Sequence, residues 1–159
     1  MPEKDLFIQR AQRYMDDLFR LAFSWLKSRA DADDVTQTVL LRLYETDKIF
    51  ESEEHVRHWL VRVTINECKK YWRSPWWRTE DFTDYANTLV FEQPEASGLF
   101  DAVMALGPKY RIVIFLYYYE GYSIEEISQV LKLPRGTVGT RLKRGREQLK
   151  QTLSEEVSL

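Results

Sequence analysis

The 159-residue sequence has few of the residues that build disulfides, metal centres and turns. With one cysteine, Cys68, and two histidines, it excludes an internal disulfide and makes a zinc site unexpected. Its richest apolar run, 112–119, is far shorter than the roughly 18–20 residues of a membrane-spanning helix. Five prolines and six glycines leave most of the chain free to form helices. Together with a polar N-terminus, these absences predict a cytoplasmic protein that does not insert into membranes.

Charge is distributed unevenly along the chain. The net charge is only −2, but residues 107–153 carry nine basic and four acidic side chains. Within 131–150 there are seven Lys or Arg residues against one Glu. Because phosphate contacts are local, this basic segment predicts a nucleic-acid interface despite the negative total.

Apolar residues spaced three and four apart predict helices in 5–73 and again in 98–153. The buried stripes are expected to include Ala11, Tyr14, Leu18, Leu21 and Trp25, then Val35, Val39 and Leu43, and in the second part Leu99, Val103, Leu106, Tyr110, Val113, Ile114 and Tyr117. Residues 74–97 have no such period. The sequence thus predicts an all-α protein of two small domains, an N-terminal helical bundle (1–73) and a C-terminal helix-turn-helix domain (98–153). A flexible linker (74–97) joins them, and a short tail (154–159) follows.

One face of the third predicted helix, 56–73, combines an aromatic residue, an amide and cations. Its members are Trp59, Arg62, Asn66, Lys69 and Arg73, and the opposite face carries Val61, Ile65, Cys68 and Trp72. Aromatic rings stack on unpaired bases, amides form hydrogen bonds with base edges, and cations pair with backbone phosphates. The row is therefore typical of a surface that binds single-stranded nucleic acid. A solvated helix face is the simpler interpretation, which periodicity alone favours.

The segment 123–150 has the pattern of a helix-turn-helix. A capping box at 123–126 begins a short helix, 132–134 is a tight turn, and a basic helix follows. One side of that helix carries Arg135, Thr137, Thr140, Arg141 and Arg144, opposite Val138, Leu142 and Leu149. Arginine forms paired hydrogen bonds with guanine edges, and threonine hydroxyls bind phosphates. The pattern therefore favours a DNA-binding helix over a merely charged surface helix.

No pattern in the sequence indicates enzymatic chemistry. Asp31, Asp33 and Asp34 suit a helix start and would make a poor metal cage. Cys68 lies on the apolar face, as a core residue would. Without a phosphate-binding glycine loop or a nucleophile elbow, we expect no catalysis, cofactor, metal or small-molecule substrate.

Three segments resemble the extracytoplasmic-function sigma factors of bacteria, in that family's order and spacing, over nearly the whole chain. They are DADDVTQTVLLRLY (31–44), WLVRVTIN (59–66) and, in the basic half, PKYR (108–111), YYEGYSIEEI (118–127) and GTVGTRLKRGR (136–146). The resemblance implies binding of core RNA polymerase by Asp31, Asp33, Asp34, Gln37, Thr38 and Leu41. It implies recognition and melting of the −10 element by Trp59, Arg62, Asn66, Lys69, Lys70 and Arg73, with the loop 51–58 bordering a pocket for a flipped base. It implies recognition of the −35 element by Arg135, Thr137, Thr140, Arg141 and Arg144. The implied partners are core RNA polymerase, promoter DNA and an anti-sigma factor. Trp76, Trp77 and 89–91 are candidate contacts for either protein partner.

The chain departs from the family pattern at five positions. Asp33 and Thr38 stand where glutamate is usual, and Gly139 replaces a lysine. Ser128 and Lys132 replace the small residue and the glycine that are common in helix-turn-helix turns. These departures bear on the strength of the polymerase contact and on the promoter sequence more than on the function.

Two other functions fit parts of the sequence. An ordinary helix-turn-helix regulator would bind an operator without core polymerase, but it has no need of the Trp59–Asn66 row. A helical adaptor would bind proteins and have lost promoter activity, which a weak polymerase contact at Thr38 would favour.

Overall fold

The computed structural model describes residues 2–73 and 97–157, and within those ranges all regular structure is α-helical. The helices are α1 (Pro2–Leu26), α2 (Arg29–Glu45), α3 (Glu53–Arg73), α4 (Ser97–Ala105), α5 (Pro108–Tyr118), α6 (Ile124–Leu131) and α7 (Arg135–Val157). The chain divides into two compact units, one containing α1–α3 and the other α4–α7. The predicted all-α class is confirmed. The predicted linker lies outside the described residues, including Trp76, Trp77 and 89–91, except for Ser97, which begins α4.

The first unit is a three-helix bundle in which α1 packs against α2 and α3. The predicted stripe of α1 is buried from Tyr14 onward, while Ala11 is half-buried. From α2 and α3 the core receives Val35, Val39, Leu43, Val61, Ile65 and Cys68. Burial raises the pKa of the Cys68 thiol, so the thiolate is disfavoured and this side chain is a core residue.

Two helices begin earlier than the sequence predicts. Helix α2 begins at Arg29 because Ser28, and not an aspartate, is its N-cap: the Ser28 hydroxyl accepts a hydrogen bond from the Asp31 N–H at 3.2 Å. Helix α3 begins at Glu53 because the Ser52 hydroxyl accepts from the His55 N–H at 3.1 Å. Serine caps therefore decide both starts, and the aspartates fall inside the first turns of α2, where the helix dipole favours them.

The second unit has α5 and α7 at its centre. Val113, Val138, Leu142 and Leu149 are buried as predicted. Two predicted core residues were wrong: Leu99 is 48% exposed and Tyr117 is 37% exposed. Both belong to helices that are apolar on nearly every side, so a period of 3.6 residues could not select the buried face.

None of the helices in 2–73 and 97–157 has both the length and the apolar composition needed to cross a bilayer.

Candidate nucleic-acid and polymerase interfaces

The predicted row on α3 faces outward. Arg62, Asn66 and Arg73 are exposed, and Trp59 and Lys69 are half-buried. The opposite face is fixed in the bundle: the Trp72 Nε1–H donates to the Trp25 carbonyl oxygen at 3.2 Å, and the two indole rings lie 4.6 Å apart. Helix α3 thus presents an aromatic residue, an amide and cations to solvent on a rigid support.

Trp59 is held at the start of this row by an aromatic neighbour that the sequence analysis missed. The Phe50 ring meets Trp59 edge to face at 5.5 Å and also contacts the His55 ring at 5.3 Å. The Arg10 guanidinium of α1 lies 5.4 Å from the Phe50 ring centroid. Phe50 also lines a groove of about 750 Å³ between α1 and the 46–50 loop. The available sequence signal for this contact was Phe50 itself, a single aromatic residue at the end of a polar loop.

The polar members of the row differ in their local partners. The side chains of Arg62 and Asn66 make no hydrogen bond or ion pair with any other described residue, so both are available to a ligand. Arg73 Nε donates to the Lys69 carbonyl oxygen at 3.4 Å. Lys70, also assigned to the −10 interface, is instead paired with the Glu67 carboxylate at 3.0 Å.

Glu67 joins the helices that carry the two candidate interfaces of the first unit. Its carboxylate is buried and pairs with Arg42 of α2 as well as with Lys70 of α3. Both cations are about half exposed, at 45% and 57% of their side chains. The structure therefore places Lys70 in a link between helices, at the edge of the α3 row.

Helix α2 presents a second outward row, which begins with acids and ends with apolar residues. Asp33, Asp34, Gln37 and Leu41 are exposed, while Asp31 and Thr38 are half-buried. Leu41 is 56% exposed, and one turn later Tyr44 is 63% exposed. The spacing of Asp34, Gln37, Leu41 and Tyr44 places them on one face. Exposed apolar side chains beside acids are typical of a protein-binding surface. Tyr44 was not among the residues predicted for this surface, although its position three residues after Leu41 indicated it.

The acidic start of α2 lies near the end of α3. Partial burial raises the pKa of Asp31, an effect to which Asp34 adds and which hydrogen bonding to Ser28 opposes. Burial also raises the pKa of Tyr71 on α3, and the negative charges of Asp34 and Asp31 raise it further. Asp31 is therefore partly packed against the bundle, while Asp33 and Asp34 remain exposed at its surface.

In the second unit, local hydrogen bonds fix the helix-turn-helix as predicted. Ser123 and Glu126 form the reciprocal capping box at the start of α6. The Ser128 hydroxyl donates to the Leu133 carbonyl oxygen at 2.5 Å and so closes the turn. Lys132 adopts the left-handed conformation, with φ 58°, which explains why glycine is common at this position. The two departures in the turn are thus compatible with the motif.

Four of the five predicted −35 residues come together in one cleft. Thr137, Thr140, Arg141 and Arg144 of α7 line a cleft of about 340 Å³ with Gly136 and with Lys109 and Tyr110 of α5. Arg135 does not line this cleft; its guanidinium pairs with the Glu125 carboxylate of α6 at 2.9 Å. Because that pair is exposed on both sides, at 72% and 52%, it is weak and a stronger anion would displace it.

Glycine at position 145 allows α5 to lie directly against α7. A Cβ added there would meet Ile114 Cγ1 at 2.8 Å and Tyr110 Cβ at 3.6 Å. Below this crossing, Arg111 is buried and donates to the Leu106 carbonyl oxygen at 3.0 Å, and burial lowers its pKa to about 10. Arg111 is therefore a structural cation, distinct from the solvent-accessible cations of the cleft.

Two family models match the chain in the order of its two units. Sigma-70 region 2 matches residues 11–78, and Sigma-70, region 4 matches residues 99–149. The ECF RNA polymerase sigma factor SigW of Bacillus subtilis is 28% identical, over 96% of this chain and 91% of its own length. The RNA polymerase sigma-E factor of Streptomyces avermitilis is 30% identical, over 92% of this chain and 84% of its own.

A solved structure shares the fold. The sigma factor RpoE from Bartonella quintana, in complex with the anti-sigma factor NepR, superposes with a TM-score of 0.70 at 21% identity, covering 93% of this chain and 96% of that one. The two family matches together include both the α2 and α3 rows and the helix-turn-helix. The chain belongs to the extracytoplasmic-function RNA polymerase sigma factors, and it is an alternative sigma factor that directs promoter recognition and the initiation of transcription.

Proposed function

We propose that this sigma factor divides its work among three helices. The α2 row (Asp33, Asp34, Gln37, Leu41 and Tyr44, with Asp31 and Thr38 at its edge) binds core RNA polymerase. The α3 row (Trp59, Arg62, Asn66, Lys69 and Arg73) melts the −10 element and holds the single strand. The basic side of α7 reads the −35 element in the major groove. Residues 1–73 and 98–153 act as the two functional domains, and 74–97 connects them.

The observation that carries this proposal is the outward row on α3. A helix that reads only duplex DNA needs cations and hydroxyls but has no use for an indole ring supported by Phe50 beside an unbonded amide. In the described residues, Asn66 and Arg62 have polar groups available to a base and a phosphate, and Trp59 offers a ring to stack on. Extruding a base costs a few kcal/mol, which stacking and hydrogen bonds of this kind offset.

The α2 row supports attachment to the polymerase. Leu41 and Tyr44 leave apolar surface in water, at a cost that a protein partner would remove. The adjacent acids give that surface a negative sign, so the proposed contact on the polymerase is apolar with a basic margin.

Sigma factors are in general initiation factors without catalytic activity, and we propose that nucleotidyl transfer belongs entirely to the polymerase. We also propose an anti-sigma factor as a second protein partner. This proposal is supported by the structure of the sigma factor RpoE from Bartonella quintana, which was solved in complex with an anti-sigma factor. Such a partner would act by covering the α2 row or the basic cleft.

A transcription assay and two binding measurements separate the competing functions. Run-off transcription is measured with purified bacterial core polymerase on sheared DNA of the source organism, with and without the protein. Discrete transcripts that require the protein are expected. If no new transcripts form and the protein alone binds an operator tightly, the protein is a regulator. If no new transcripts form and the protein still binds polymerase, it is the adaptor.

The role of the α3 row is tested by Asn66→Ala. Removal of the amide should reduce open-complex formation at least tenfold, measured by permanganate reactivity of the −10 thymines, while polymerase binding is retained. Gln12→Ala, which removes an exposed amide from α1 of the same bundle, is the control and should leave melting unchanged. Unchanged melting in Asn66→Ala would show that another surface captures the strand.

A further inference from the structure

The basic cleft of the second unit contains a cation that the helix-turn-helix motif does not supply. Lys109 comes from α5, yet it lines the same cleft as Thr137, Thr140, Arg141 and Arg144 of the recognition helix. Lys109 is exposed, and its Nζ lies 5.1 Å from the centroid of the Tyr110 ring, which also lines the cleft. The ring thus supports the ammonium group at the margin of the cleft.

Helix stability does not account for a lysine at this position. Lys109 follows Pro108 in the first turn of α5, where the positive end of the helix dipole disfavours a cation. Lys109 makes no ion pair with any described residue that would offset this cost. A cation that opposes its helix dipole and has no acidic partner among the described residues favours an external anion as its ligand.

The packing of α5 on α7 places Lys109 beside the recognition helix. Gly145 brings α5 so close that an added Cβ would overlap Ile114 and touch Tyr110, the residue that follows Lys109. A bulkier residue at 145 would move the start of α5 away from Arg141 and Arg144. The close crossing thus brings Lys109 of α5 to the same cleft as the α7 residues.

The composition of the cleft selects a phosphodiester. Its lining has three cations, two threonine hydroxyls and, among the described residues, no carboxylate. Cations with hydroxyl donors are the usual contacts of proteins to DNA phosphate oxygens. Arg135 lies outside the cleft, in an exposed and displaceable pair with Glu125, so it is not part of this phosphate site.

We infer that Lys109, supported by Tyr110, binds a backbone phosphate of the −35 duplex and clamps the strand against Thr137, Thr140 and Arg141 of α7. This inference rests on the proposed function. It extends the −35 interface from one helix to two, and Lys109 positions the recognition helix without reading sequence.

The test is the salt dependence of promoter binding by holoenzyme assembled with the full chain. A promoter fragment recovered by run-off transcription is titrated at several salt concentrations with wild type, Lys109→Gln, Lys109→Arg and Lys150→Gln. Lys150 is an exposed lysine of α7 that does not line the cleft, so its replacement removes the same charge elsewhere on the unit.

Loss of one phosphate contact should reduce the slope of log affinity against log salt by about 0.9. The affinity ratio of wild type to Lys109→Gln should then fall about 3.5-fold over a fourfold rise in salt, whereas Lys109→Arg and Lys150→Gln keep the wild-type slope. Ethylation interference should also detect one phosphate contact fewer with Lys109→Gln than with wild type.

Two results would overturn the inference and are distinguishable from each other. If wild-type holoenzyme selects promoters but Lys109→Gln keeps the full slope, the cleft does not bind backbone at Lys109 and the proposed function stands. If wild-type holoenzyme selects no promoter, the proposed function fails and the inference fails with it.

Discussion

Replacing Gly145 by alanine tests whether the close crossing of α5 and α7 is a structural requirement of the second unit. The added Cβ would lie 2.8 Å from Ile114 Cγ1 and 3.1 Å from its Cδ1. Carbon atoms pack best at about 3.5–4.0 Å, so the contact must open by roughly 0.7 Å. Ile114 is only 1% exposed and is β-branched, so it has no free space and few rotamers with which to adjust.

The magnitude follows from two opposing effects. Overpacking of this kind costs about 1–3 kcal/mol, whereas alanine improves on glycine in a helix by about 1 kcal/mol. Gly145→Ala should therefore lower the free energy of unfolding by about 1 kcal/mol. Gly139→Ala is the matched control, because the same helix has no atom within 4 Å of a Cβ at that position, and it should raise the free energy by about 1 kcal/mol.

Scanning calorimetry of the full chain measures the difference between the two variants. About 2 kcal/mol corresponds to a separation of roughly 8–16 °C in the Tm of a unit of this size. The transition of the first unit should not move. If Gly145→Ala is as stable as Gly139→Ala, the helices do not cross as closely as described, and the reason given for the position of Lys109 is lost.

Two further predictions concern the core of the first unit. Glu67→Gln removes the negative charge that pairs with Arg42 and Lys70. The substitution should lower the free energy of unfolding by about 1 kcal/mol, since both cations are half exposed and regain water. A urea titration that matches wild type would show that these ion pairs are not stabilising. For Cys68, burial raises the pKa in the folded state above the ordinary value of 9.0, so above about pH 9 the unfolded chain loses a proton that the folded chain keeps. Stability should then fall with rising pH by up to about 1.4 kcal/mol per pH unit, a component that Cys68→Ala removes, and identical pH profiles for the two proteins would contradict the burial of the thiol.

Local signals in the sequence were sufficient for the helix-turn-helix. The capping box at Ser123 and Glu126 and the turn before Arg135 involve residues within a few positions of one another, so spacing alone predicts them. The exposed row on α3 was predictable for the same reason. Residues brought in by tertiary packing were not: Phe50 reaches Trp59 across a loop, and Lys109 reaches the recognition helix only because α5 folds back on α7.

Burial was predicted less well where a helix is apolar on most sides. Leu99 and Tyr117 have the spacing of core residues yet are exposed, because a packed neighbour, and not the helix itself, selects the face. The start of α2 was misjudged because serine and aspartate are equally good caps in sequence, and only the backbone geometry at Ser28 distinguishes them.

The anchoring of α3 at both ends gives the protein a fixed unit of length. The Trp59 end is held by Phe50, and the far end by the contact of Trp72 with Trp25. Between Trp59 and Arg73 the helix rises about 21 Å, the length of roughly six stacked nucleotides of one strand. Under the role proposed for the α3 row, this fixed length, and not the sequence of the strand, would set the number of bases that the row holds.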